Sequence, residues 1–182
     1  MATARDWADA FLEQGREDLK TLLAAHNSGS ASVSTTAMLL QMVLEKLAKA
    51  AFLKMGTPTV NAVNRSHSVA PHLIVTFSRY SHLLPALAKA AGFGAVSWTA
   101  VQPLVTELDQ AHPSPANPKK RAFPEMLEYP WEDPKSGAGK GIRWPERDLP
   151  LVQRFKNPTN TDLALLLKFV QALSTHHDTL FP

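Results

Sequence analysis

Arg65, His67, His72, Thr76, Arg79 and His82 bring three imidazoles, two guanidiniums and a hydroxyl into eighteen residues. His72, Thr76 and Arg79 are spaced four and three apart, the period that lines side chains up along one face of a helix. Cationic and imidazole groups on such a stripe suit phosphate. An imidazole that titrates near neutrality can act as general acid or base on an RNA backbone, while a guanidinium steadies the charge of the phosphorane. An imidazole of this group is therefore a candidate acid–base and a guanidinium its phosphate-stabilising partner. His67, Thr76, Arg79 and His82 are candidate binding contacts. The alternative reading is a solvated helix face whose polar groups hold the neighbouring loop.

A second basic group comprises Lys119, Lys120, Arg121, Lys140 and Arg143. The chain's formal charge is only +3, but residues 113–158 hold nine Lys and Arg against six Asp and Glu. These cations are candidate contacts to a polyanion, with solvated loop charges as the plainer alternative. The glycine-rich run SGAGKG in the same segment is not a phosphate loop. That motif requires a glycine where Pro134 stands and Ser or Thr where Gly141 stands.

Other chemistry is thinly represented. There is no cysteine, which removes disulfides, thiolate catalysis and cysteine-ligated zinc. His176, His177 and Asp178 lack a helix-spaced companion set, so no metal and no cofactor is expected, and His176 and His177 read as solvated terminal residues. The opening residues have no unbroken apolar stretch of the signal-peptide kind. The longest apolar run is interrupted by Gln41, Glu45, Lys46 and Lys49, too soon for a membrane span. A cytoplasmic location and no membrane partner are expected.

The elements that must position these groups are helical. Residues 4–25 show an apolar face of Trp7, Phe11, Leu12, Leu19, Leu22 and Leu23. Residues 37–54 contain no glycine or proline and are apolar around most of the circumference, which predicts a central helix wrapped by partners. Its narrow Gln41–Glu45–Lys49 stripe is expected to face a groove. Ser32 or Ser34 is the expected N-cap, with Gly56 just beyond the C-terminus. Residues 57–68 read as a loop, and a third helix begins near Ser68 with Pro71 in its first turn. Pro85 is expected to kink or restart it, and Gly92 and Gly94 to end it. A shorter fourth helix, capped by Ser97, carries Val101, Leu104, Val105 and Leu108, with Pro103 obscuring its start. Nine of fourteen prolines fall in residues 113–158, yet Phe123, Met126, Leu127, Tyr129, Trp131 and Trp144 are too apolar for a free linker. An ordered, irregular insertion is expected there. A last helix begins after residues 157–162, with Thr159, Asn160 or Thr161 as its cap, and presents Leu163, Leu166, Leu167, Val170 and Leu173. The expected fold class is all-α. One domain spans residues 1–182, an antiparallel bundle of about five helices with an irregular Pro-rich insertion at 113–158.

Several of these residues resemble the motifs of the HEPN (higher eukaryotes and prokaryotes nucleotide-binding) family. Glu17-Asp18-Leu19 resembles the acid-Leu element of its first helix. Gln41-x3-Glu45-Lys46-x2-Lys49-Ala50 resembles the core of its second. His67-Ser68 leading to Pro71-His72-Leu73 is similar to its His-containing helix start, and Glu128-Tyr129-Pro130 to an element before its final helix. Ser68 stands where an acid is usual and Glu128 where a basic residue often precedes Tyr-Pro. The resemblance implies a compact helical domain, often dimeric, found with nucleotidyltransferase or antitoxin partners and in RNA-targeting defence systems. It implies for Arg65-x6-His72 the Arg/His pair of a metal-independent endoribonuclease assembled across a dimer cleft. Three readings follow: a homodimeric module binding RNA, nucleotide or a partner protein; that endoribonuclease; and a non-enzymatic adaptor gripping its partner through residues 113–158 by Tyr129, Trp131 and Trp144.

Overall fold

A capping box opens the first helix, α1 (Ala4–Asn27): the Thr3 hydroxyl accepts from the Asp6 amide, and the Asp6 carboxylate accepts from the Thr3 amide. The computed structural model describes residues 2–56, 59–66, 68–80, 98–111, 126–132 and 141–182. Ser32 caps α2 (Val33–Lys54) by accepting from the Thr35 amide at 3.1 Å. Gly56, at φ +66°, takes the left-handed conformation that ends α2 without a Cβ penalty.

Residues expected as loop contain a short helix, α3 (Val60–Arg65), because the Thr59 hydroxyl accepts from the Ala62 amide and nucleates a turn. Arg65 is therefore helical. The next helix, α4 (Val69–Tyr80), buries Val69, Leu73 and Ile74. Its apolar partners expected beyond Tyr80, with Pro85, Gly92, Gly94 and Ser97, lie outside the described residues. In α5 (Trp98–Ala111) the exposed Pro103 lies inside the helix. It forgoes one backbone bond while Val101, Leu104, Val105 and Leu108 stay buried.

The described part of the Pro-rich insertion, residues 126–132 and 141–158, is more regular than expected. A two-residue antiparallel ladder joins β1 (Trp131–Glu132) to β2 (Ile142–Arg143). Two short helices follow, α6 (Pro145–Asp148) and α7 (Pro150–Lys156), each with proline at its first position. Proline suits that site because the first amides of a helix have no internal partner. Asn160 then accepts from the Asp162 amide at 2.8 Å and starts α8 (Asp162–Thr175), and α9 (His177–Leu180) completes the order.

Among the described residues, five helices of twelve or more residues, α1, α2, α4, α5 and α8, form an all-α bundle. α1 and α2 are antiparallel, for Phe11 lies under Lys49, Gly15 against Leu47, and Asp18 beside Lys46. α2 packs against α1, α3, α4, α5, α6, α7 and α8, which makes it the centre of the core. No helix among the described residues is long and apolar enough to cross a membrane.

Candidate functional site

The Arg65–His72 corner is built by the end of α3 and the first turn of α4. Arg65 and His72 are both exposed, on either side of the short connection 66–68. His72 and Ser66 share a cavity of about 250 Å³ with Phe52, Ala62, Val63 and Val69, whereas Arg65 does not line it. Thr76 spends its hydroxyl on its own helix, donating to the His72 carbonyl at 2.8 Å. Arg79 supplies backbone to α4. His67, His82, Lys119, Lys120, Arg121 and Lys140 lie outside the described residues.

The Gln41–Glu45–Lys49 stripe faces inward, contrary to expectation. Gln41 is 4% and Lys49 5% exposed. Lys49 Nζ is 2.8 Å from the Glu45 carboxylate and 5.4 Å from the centre of the Phe11 ring, and it donates to the Asn64 carbonyl at 3.5 Å. Gln41 Nε2 donates to Glu45 at 3.3 Å. α1 and α3 thus cover the stripe, so these groups tie three helices together and are withheld from solvent chemistry. Lys46 does the same at the rim, paired with Asp18.

His177 is a second correction. It is fully buried, and its Nε2 donates to the Leu47 carbonyl at 3.0 Å, because a carbonyl can only accept. Its Nδ1 has no hydrogen-bond partner among the described residues. Burial pushes the imidazole down to about 4, and the nearby Lys54 adds to this against the opposing hydrogen bond to Leu47. Beside it Lys54 and Arg16 both bind Asp178, and their hydrogen bonds hold its carboxyl at about 2.

The insertion forms the larger concave surface. A groove of about 560 Å³ runs between the start of α2, residues 127–130 and the segment 144–146. Leu127 is buried in the core beneath it, and Trp131 is half-buried against that core. Tyr129 and Trp144 line the groove and stay 54% and 41% exposed. Arg147 lies 3.4 Å from the centre of the Trp144 ring, donates to Asp148 and to the Ile142 carbonyl, and so orients the indole. Asp148 also accepts from the Trp144 amide and from Arg143. Arg143 is therefore engaged by Asp148, while its side chain stays 42% exposed.

Glu146 fastens this wall to the bundle. Its carboxylate accepts from the Ser34 amide at 2.5 Å, at the N-terminus of α2, and pairs with Lys156 at 2.6 Å. Burial opposes ionisation, but Lys156 and the Ser34 amide outweigh it and hold the carboxyl at about 2. Met38, Ser34, Glu146 and Arg147 were not marked by spacing as site residues. The usable signal was Pro145 followed by an acid, the start of a short helix whose acid is free to cap another element. Comparison with protein-family models, curated proteins and solved structures finds no match for this chain.

Proposed function

We propose that this chain is a HEPN-like, cytoplasmic helical module that works by binding a partner protein through the Tyr129–Trp144 groove. The observation that carries the reading is the joint exposure of these two aromatic side chains on one concave surface held by the core. Amphipathic aromatics of this kind supply large contact area at small entropic cost and dominate recognition surfaces. The HEPN-like frame rests on the motif residues of α1 and α2, whose polar groups serve packing. The adaptor reading gains from the groove. The RNA reading gains less, because Arg143 and Arg147 are both engaged by Asp148.

The test is affinity capture with the native chain and with a Tyr129→Ser/Trp144→Ser variant of unchanged circular dichroism. A partner retained by the first and lost by the second is expected. Partners retained equally by both place the adhesive surface elsewhere.

A second reading keeps the Arg65–His72 corner, on the observation that both side chains are exposed and His72 borders a cavity. It requires chelator-resistant cleavage of single-stranded RNA that His72→Ala abolishes. Cleavage unchanged in that variant removes it.

A further inference from the structure

We propose that the cavity between α2, α3 and α4 binds a small organic carboxylate with an apolar body. This site is distinct from the groove. Phe52 lies eighteen residues beyond Ser34 on α2, roughly 27 Å along a helix rising 1.5 Å per residue. Among the described residues, Phe52, Ala62, Val63 and Val69 make the apolar walls, and the polar lining is confined to Ser66 and His72. A hydrocarbon group entering between these walls leaves water for carbon contacts on three helices. The volume of about 250 Å³ falls below the roughly 300–1,000 Å³ of sites for drug-sized ligands. A single ring or a short alkyl chain is the occupant of that scale. The RNA-cleaving reading uses the exposed side chains of this corner but leaves the apolar chamber without a role.

Charge selects the head group. Residues 46–106 contain no Asp or Glu, against Lys46, Lys49, Lys54, Arg65, Arg79 and Lys89. Every lining residue named above comes from this acid-free stretch. Three of its cations are already paired, Lys46 with Asp18, Lys49 with Glu45, and Lys54 with Asp178. Arg65 is exposed, adjoins the lining residue Ser66 in the chain, and has no ion pair among the described residues. An anion approaching this corner meets a guanidinium and no lining carboxylate, whereas an ammonium meets no countercharge. The Ser66 hydroxyl can donate one hydrogen bond, and the His72 imidazole carries an N–H in either charge state. Two such donors match the two oxygens of a carboxylate. A nucleotide would have to place a polar sugar among the apolar walls, at the cost of its hydration.

The experiment is a heteronuclear NMR titration of the full chain with three probes: benzoate, benzylamine and uridine monophosphate. Benzoate is expected to saturate, with shifts centred on the amides of Ala62, Val63, Ser66 and Val69. It should bind at least several-fold tighter than benzylamine, which offers the same ring with the opposite charge. Arg65→Glu should weaken benzoate by about fivefold, the scale of a surface charge pair, and strengthen benzylamine, a reversal that loss of folding cannot produce. Ala62 is an exposed part of the lining, so Ala62→Trp should fill the cavity and abolish benzoate binding with circular dichroism unchanged. Equal affinity for benzoate and benzylamine overturns the proposal, as does tighter binding of uridine monophosphate at the same amides. Benzoate binding that survives Ala62→Trp, or no shift at these amides with any probe, also overturns it. None of these outcomes bears on capture through Tyr129 and Trp144, which stands or falls on its own test.

Discussion

At His177 one imidazole is enclosed between α2 and the last helical turn, with Phe181 at 4.8 Å between ring centres. Its pKa of about 4 lies below the ordinary 6.5. Between those values the unfolded chain binds the proton and the folded chain does not, so stability rises with pH across that window and is lost as pH falls through it. The contribution is on the order of 3 kcal/mol, taking about 1.4 kcal/mol per unit. His177→Gln keeps an amide donor for the Leu47 carbonyl without a titrating group. Urea midpoints at pH 7 and pH 4.5 are expected to differ less in His177→Gln than in the native chain; equal differences would remove His177 as the titrating group. Lys49 presents the complementary case of a buried charge with its partner. Lys49→Met removes the buried ammonium 2.8 Å from the Glu45 carboxylate and should cost about 3 kcal/mol, whereas Lys49→Met with Glu45→Leu should recover part of the loss. Urea unfolding of both variants checks this. The spacing of Gln41, Glu45 and Lys49 was legible as a stripe on a helix. That it faces inward was not, because the helices that cover it, α1 and α3, are far off or unforeseen in the chain.

Among the elements, α1 and α2 approach closely at Gly15. A Cβ there would meet Leu47 Cδ2 at 3.2 Å and Lys46 Cβ at 3.4 Å. Glycine inside a helix costs about 1 kcal/mol relative to alanine, and close approach of the two helices is what it permits. Gly15→Val should therefore destabilise by about 1–3 kcal/mol through overpacking, read as a fall in melting temperature with α-helical circular dichroism retained. The start of α2 depends on a remote element, since Glu146 of α6 binds the Ser34 amide. Its carboxyl is held at about 2 against an ordinary 4.5, so its contribution is complete above the ordinary value and is lost as pH falls toward 2. Glu146→Gln should cost about 2 kcal/mol at pH 7, with the deficit shrinking below pH 4. A deficit constant across that range would deny the charge its role. The long helices were legible because their apolar periods, caps and Gly56 agree. α3, α6 and α7 were obscured by proline and polar residues that signal turns as readily as helix starts.

Across the whole molecule, the insertion and the bundle share one apolar core. Leu127, Leu149, Leu151, Val152 and Phe155 join the same buried cluster as Leu22, Leu44, Leu108 and Phe169. Composition alone suggested an irregular insertion, because proline density records where the chain turns and says nothing of what its apolar residues touch. The groove was half legible for the same reason. Tyr129, Trp131 and Trp144 stood out by type, but only folding separates Trp131, packed on the core, from the two that line the groove. A shared core makes the ends of the insertion unfold with the helices they touch. Denaturation followed by circular dichroism reports the bundle, while tryptophan fluorescence also samples Trp131 and Trp144. The two transitions are expected to coincide in midpoint and slope. A fluorescence transition preceding the loss of helix would separate the groove from the bundle energetically. It would also make the groove's shape depend on its occupant, since a wall that melts early is ordered by whatever binds it.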